Sequence, residues 1–208
     1  MHQTTCILDG FACRYKLTSE GKRHIMAYLI SGDFCDLHVF ILKAMDHNIG
    51  ALSPCRVVNI PRNRILEMTT RPALARALWW ATLVDEAVLR EWLVNMGQRE
   101  APERIAHLLC ELLLRLRAIG LAASDAYELP ITQEALGDTM GLSAVHVNRS
   151  LQKLRSENSD HPEAQLPYDP LTPSGCKSSP ASIPTTCICN RRSKQIRNRL
   201  RRIRTLAG

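Results

Sequence analysis

The residues of this chain best placed to do chemistry lie between Thr132 and Glu157, in the stretch "TQEALGDTMGLSAVHVNRSLQKLRSE". Thr132 can cap a short helix through Leu136, Gly141 supplies a turn, and Ser143 can cap a second helix with Val147, Leu151 and Leu154 on its inner face. Gly137 lies four residues before the turn glycine and Val147 lies six after it. Two helices that cross at close range need this set: a residue without bulk at the crossing, a left-handed-tolerant residue in the turn, and a branched apolar plug. The outward face of the second helix then presents Ser143, Ala144, Val145, His146, Asn148, Arg149, Gln152 and Lys153. These groups suit a DNA major groove. Arg149 can make a bidentate pair with guanine, Asn148 or Gln152 can read adenine, and Val145 can touch a thymine methyl. Ser143 and the helix amino terminus suit a phosphate. The plainer alternative is a helical hairpin with a solvated polar face. No nucleophile triad, phosphate loop or carboxylate pair stands out, so an enzyme is not expected.

The preceding elements must position that pair. Leu74, Leu78, Ala81, Val84, Val88 and Trp92 recur at helical spacing and predict one long helix to about Met96. Trp79, Trp80, Leu83, Leu89 and Leu93 widen its apolar stripe. A helix this apolar wants a partner. The expectation is pairing with the same helix of a second chain through Leu74 to Trp92, with burial against its own domain as the alternative. A second helix follows in "EAPERIAHLLCELLLRL", where Pro102 and Glu103 suit a first turn. Ile105, Leu108, Leu109, Leu112, Leu113 and Leu116 share one face, and Arg115 and Arg117 lie near the end. The segment "AIGLAASDAYELP" reads as a loop. Before residue 60, "FACRYKL", "RHIMAYLI" and "CRVVNI" are short β-branched and aromatic runs separated by turn material, and they predict about five strands of a sandwich or roll.

The net charge of +7 belongs to the tail. From Pro170 to Gly208 there are nine Lys or Arg and no acid, so the other 169 residues carry 18 bases against 20 acids. The eight cysteines lack a CxxC pair and are expected to be thiols in a reducing cytoplasm. No apolar run reaches the roughly 18 residues of a membrane span. Cys35, Asp36, His38, Asp46 and His47 lack a metal-site spacing, and Cys187 with Cys189 is too close-set for a zinc knuckle. Thus no metal is expected.

Taken in order, strand-rich roll, long apolar helix, leucine-rich helix and helix-turn-helix resemble the Crp/Fnr family of bacterial transcription regulators over roughly residues 7 to 157. The segments carrying the likeness are "GFACRYKLTSEGKRHIMAYLISGDF", with its "GD" turn at Gly32 and Asp33; "RILEMTTRPALARALWWATLVDEAVLREWLVNMGQREAPERIAHLLCELLLRL"; and "LPITQEALGDTMGLSAVHVNRSLQKLRSE". The resemblance implies an α+β chain: a partial cyclic-nucleotide-binding-type β-roll over residues 1–70, a dimerisation helix over 71–97, and a helix-turn-helix domain over 98–157. It further implies a homodimer on double-stranded, near-palindromic DNA that contacts RNA polymerase.

Departures from the family's pattern accompany the likeness. Members that bind cyclic AMP carry a glycine-glutamate pair after the "GD" turn and an arginine-serine pair further on. Here "GDFCDLHVFILKAMDHNIGAL" has neither, so the phosphate lacks its charge-assisted partner and no cyclic AMP binding is expected. The amino-terminal cysteine cluster of the oxygen-sensing branch is also missing, and Cys6 with Cys13 cannot replace it. The first strands of the family's roll precede the point where this chain begins, which predicts exposed sheet edges. After Glu157, six prolines and many Ser and Thr replace the family's two-stranded wing. Residues 158–208 therefore read as a disordered basic tail, out of frame or otherwise foreign to the preceding fold. The run "RRSKQIRNRLRRIR" could bind nucleic acid or acidic lipid nonspecifically. The leading expectation is a dimeric transcription regulator. Its rival is a truncated interaction module that dimerises but reads no DNA.

Overall fold

Short runs of apolar and β-branched residues form the first half of the chain, because alternate side chains on a pleated strand can enter a core while their neighbours meet water. The computed structural model describes residues 3–37, 41, 45–122, 126–159 and 181–184. These fall into two units, residues 1–94 and 95–208, with the division inside the long helix. In the first unit, β1 (Gln3–Asp9) pairs antiparallel with β5 (Arg56–Pro61). A three-stranded antiparallel sheet places β2 (Ala12–Leu17) between β3 (Arg23–Leu29) and β4 (Asn48–Ala51). Two apolar clusters are buried in this unit. Ile7, Ala12, Leu29 and Cys35 form one, and Leu37, Ile65 and Leu78 form the other with Phe34 and Ile60 against them.

The Gly32–Asp33 turn ties β1 to β3. Gly32 has φ +93, and its amide donates to the Ile7 carbonyl at 2.8 Å while the Ile7 amide donates to the Asp33 carbonyl at 2.9 Å. Asp33 Oδ2 also accepts from the Ile30 amide at 2.8 Å. Arg14 then holds the following residues, donating to the Phe34 carbonyl at 2.6 Å and to the Cys35 carbonyl at 3.0 Å. The same guanidinium reaches Asp85 at 2.8 Å.

Two helices complete this unit. The short α1 (Arg62–Thr69) carries one buried residue, Ile65, and so leaves no apolar stripe by which its sequence could announce it. The long α2 (Pro72–Gln98) carries the stripe expected for dimerisation. Leu78 and Trp92 are buried within their own chain, and Leu74, Ala81, Val84 and Val88 are half-buried on the same side. Leu78 packs with Leu37 and Ile65, and Trp92 lies 6.2 Å from Tyr28 between ring centroids. The opposite side is the open one: Trp79 is 73 % exposed, Leu93 68 % and Leu83 56 %. With about 100° of turn per residue, Trp79 and Leu83 stand on the side of the cylinder away from Val88. The most regular apolar stripe is the inner face, since the strands require regular packing of it.

In the second unit, α3 (Ala101–Ala118) packs on α4 (Gln133–Met140) and α5 (Ala144–Ser159). Its leucine face is the core: Ile105, Leu109, Leu112 and Leu113 are completely buried. The segment expected as a loop contains β6 (Ala126–Leu129), and Tyr127 donates its hydroxyl to the Leu109 carbonyl at 2.9 Å. Within the segment expected to be disordered, β7 (Ala181–Pro184) pairs antiparallel with β6, Leu129 opposite Ala181. A four-residue strand with so distant a partner has no local signature. The remaining tail from residue 160, including Cys187, Cys189 and the arginine-rich run, lies outside the described residues, as do His38 and residues 42–44 of the segment bearing on cyclic AMP.

Cysteine chemistry is muted. Burial, with the Asp36 carboxylate beside it, pushes the Cys35 thiol up to about 12, and burial raises Cys6 as well. Cys110, expected as a thiol, is instead disulfide-bonded. Among the described residues no group of three or more His, Cys, Asp or Glu could hold a metal ion. Asp46 and His47 are occupied otherwise. Asp46 accepts from His47 Nδ1 at 2.7 Å and faces Lys16 Nζ at 3.1 Å, while His47 Nε2 lies 3.4 Å from the Cys35 carbonyl. The His47 and Lys16 hydrogen bonds hold the Asp46 carboxyl down at about 2. A depressed carboxyl stabilises the fold fully above its ordinary value of 3.8, and that contribution is lost as pH falls through about 2. Asp46→Asn should therefore flatten the dependence of the urea midpoint on pH between about 4 and about 2. An unchanged slope would show that the contact contributes nothing to folding.

Candidate nucleic-acid interface

The site is built from two helix caps and one glycine crossing. Thr132 Oγ1 accepts from the Ala135 amide at 3.1 Å and closes the first turn of α4. The helix ends at Gly141 in the left-handed region, φ +64 and ψ 36, a conformation that costs an L side chain free energy. Ser143 then starts α5. Its carbonyl accepts from Val147 N at 3.0 Å, its Oγ accepts from His146 N at 3.4 Å, and that hydroxyl lies 2.9 Å from His146 Nδ1.

Close approach at the turn fixes the angle between the helices. The Leu142 amide donates to the Gly137 carbonyl at 3.0 Å, and a Cβ on Gly137 would stand 2.5 Å from the Leu142 carbonyl oxygen. Below the crossing, Val147 is fully buried, with Leu136, Met140, Leu151 and Leu154 around the same core. Once that face is buried, helical periodicity dictates the other. Ser143, Ala144, Val145, His146, Arg149, Gln152 and Lys153 are all exposed, and Asn148 is half-buried.

All eight residues expected at a DNA surface thus lie on one exposed turn and helix face, with Ala144, Val145, Asn148, Arg149 and Gln152 lining one shallow groove. Gln133 lines it too and is not among the residues that the sequence singles out. It belongs to the first helix, and Asn148 Nδ2 donates to its Oε1 at 3.4 Å. The available signal was its place as the first residue after the Thr132 cap, in the opening turn of α4. The arrangement offers a guanidinium, two amides, an ammonium and a capped helix amino terminus on one exposed strip, the donor set that phosphates and base edges accept. It holds no acid, in keeping with a polyanionic partner. Gly137→Ala should cost about 1–3 kcal/mol, because the added methyl meets backbone that cannot rotate away. Urea unfolding checks this, and an unchanged midpoint would mean that the crossing has slack.

Comparison with known proteins agrees with this geometry. The Crp-like helix-turn-helix domain family matches residues 103–159. The chain is 31 % identical over 153 residues to the nitrogen fixation regulation protein FixK of Bradyrhizobium diazoefficiens, covering 71 % of this chain and 62 % of that protein. It is 25 % identical over 155 residues to the transcriptional activator protein FnrL of Cereibacter sphaeroides, covering 73 % and 62 %. It therefore spans about six tenths of the length of these curated relatives. Among solved structures, FixK2 from Bradyrhizobium japonicum shares the fold, with a TM-score of 0.63, 24 % identity and 76 % of each chain covered. The Crp-like match lies over the helix-turn-helix just described, and the wider likeness takes in the strands and the long helix before it. Residues 103–159 thus match a Crp-like helix-turn-helix domain, and the longer stretch around them is similar to regulators such as FixK and FnrL.

Proposed function

We propose that this chain is the DNA-reading part of a transcription regulator, binding a near-palindromic duplex as a homodimer through α5. The observation that carries the reading is the exposed strip from Ser143 to Lys153, held at a fixed angle by the Gly137 crossing. Arg149 is the side chain best suited to a guanine, Asn148 and Gln152 to adenine, and Ser143 with the start of α5 to a phosphate. The relatives' names, regulators and transcriptional activators, favour the same class. RNA polymerase is the partner implied by the family, and catalysis has no place in this account. No described helix is long and apolar enough to cross a membrane, and a cytoplasmic site of action is part of the proposal.

Dimerisation is assigned to the outer face of α2. Trp79, Leu83 and Leu93 present a large apolar surface to water, which soluble chains cover with a partner. That surface also favours the second reading, a module that pairs through α2 without specific DNA binding. Trp79→Glu combined with Leu83→Glu should convert a dimer to a monomer in sedimentation velocity. If the variant sediments as the wild type does, another surface pairs the chains.

The two readings part on Arg149. Arg149→Ala should lower affinity for a selected palindromic duplex at least tenfold at moderate salt, with little change on unrelated DNA. Binding that survives the substitution and fades only when residues 191–204 are removed would instead identify a nonspecific basic tail.

A further inference from the structure

We propose that Gln133 is a positioning residue for base recognition, which fixes the orientation of the Asn148 amide so that Asn148 reads adenine. The inference rests on the DNA-binding reading of α5 and names a determinant of its sequence preference. Gln133 and Asn148 are fifteen residues apart, on different helices, and are joined by the 3.4 Å bond from Asn148 Nδ2 to Gln133 Oε1. Both are half-buried, and both line the groove that holds Arg149 and Gln152.

A primary amide has two N–H donors and one carbonyl oxygen. Adenine takes one of each: an amide N–H points to N7, and the amide oxygen accepts from the 6-amino group. Asn148 therefore has one N–H to spare, and Gln133 accepts it. The bond also settles orientation. A half-turn of the Asn148 amide exchanges nitrogen and oxygen at almost no steric cost, so an unsupported side chain presents donor and acceptor in either order. Beside Gln133 Oε1, the flipped amide would set two carbonyl oxygens against each other. Asn148 thus cannot turn unless the Gln133 amide turns with it, which makes the order seen here less mobile before DNA arrives, and preorganised donors and acceptors discriminate better than mobile ones.

Gln133 itself is held well. It stands in the first turn of α4, whose start is closed by the Thr132 cap, and its neighbours Ala135 and Leu136 are buried in the core. The Gly137 crossing brings that turn against α5. Arg149 and Lys153 provide charge along the strip but no acceptor, so among the groove-lining side chains only the amides of Gln133 and Gln152 could accept from Asn148.

The test is selection from a pool of randomised duplexes by the full chain and by Gln133→Ala, Gln133→Glu and Asn148→Ala, each with its thermal unfolding recorded. The wild type should show a roughly tenfold adenine preference at one position of each half-site. Asn148→Ala and Gln133→Ala should both lose that preference while keeping the guanine position and overall affinity within about threefold. Gln133→Glu keeps the acceptor, so it should retain the adenine preference and bind all duplexes more weakly through repulsion from phosphate. Retention of the preference in Gln133→Ala, or its survival in Asn148→Ala, overturns the proposal while leaving the DNA-binding reading intact. A wild-type chain that selects no sequence at all overturns that reading, and this proposal with it.

Discussion

The carbonyl oxygen of Leu142 sits so close to Gly137 that no side chain fits between them, and the outward strip of α5 depends on that contact. Helices normally pack at 8–10 Å because their side chains keep them apart. Removing the side chain at one crossing lets the backbones touch, and a backbone-to-backbone contact leaves little freedom of angle. Gly141 then turns the chain, Ser143 restarts the helix, and Val147 is buried beneath. Burial of Val147, Leu151 and Leu154 on one side determines which side Arg149 and Gln152 take. The potential interface is thus the complement of a core.

The same reasoning explains why α2 has two apolar faces. A helix covered by one sheet needs a single stripe, and the Leu74-to-Trp92 stripe is that one. Trp79, Leu83 and Leu93 add a second surface that packing within the chain does not consume. Exposing such residues costs solubility unless another surface covers them. Periodicity alone gives the regular stripe priority, and here regularity marks the inner face. Trp92 illustrates the difference: it is the largest residue of the stripe, and it lies against Tyr28 of the same chain.

Legibility varied with the range of the interaction involved. Helices α2 to α5 were legible because a helix repeats its demand every three or four residues, and the caps at Thr132 and Ser143 are local hydrogen bonds. β6 and β7 were not, since each has four residues and becomes a strand only by pairing with the other, more than fifty positions away. α1 escaped because Ile65 is its one buried residue. Of the groove residues, those on α5 share a single periodic face and were found together. Gln133 was missed because its role depends on a bond across the turn.

By itself, then, the sequence determined that α2 to α5 are helical, where the turn glycines lie and which residues of α5 face outward. Those properties follow from nearest-neighbour geometry: 3.6 residues per turn, a cap, and a residue that tolerates positive φ. Only the tertiary structure decided which apolar face of α2 is spent on its own strands, that Ala126–Leu129 is a strand, and that Gln133 meets Asn148. These depend on which distant surfaces meet. A sequence read along its own axis states what each element can offer, and the packing of the elements determines which of those offers is taken up.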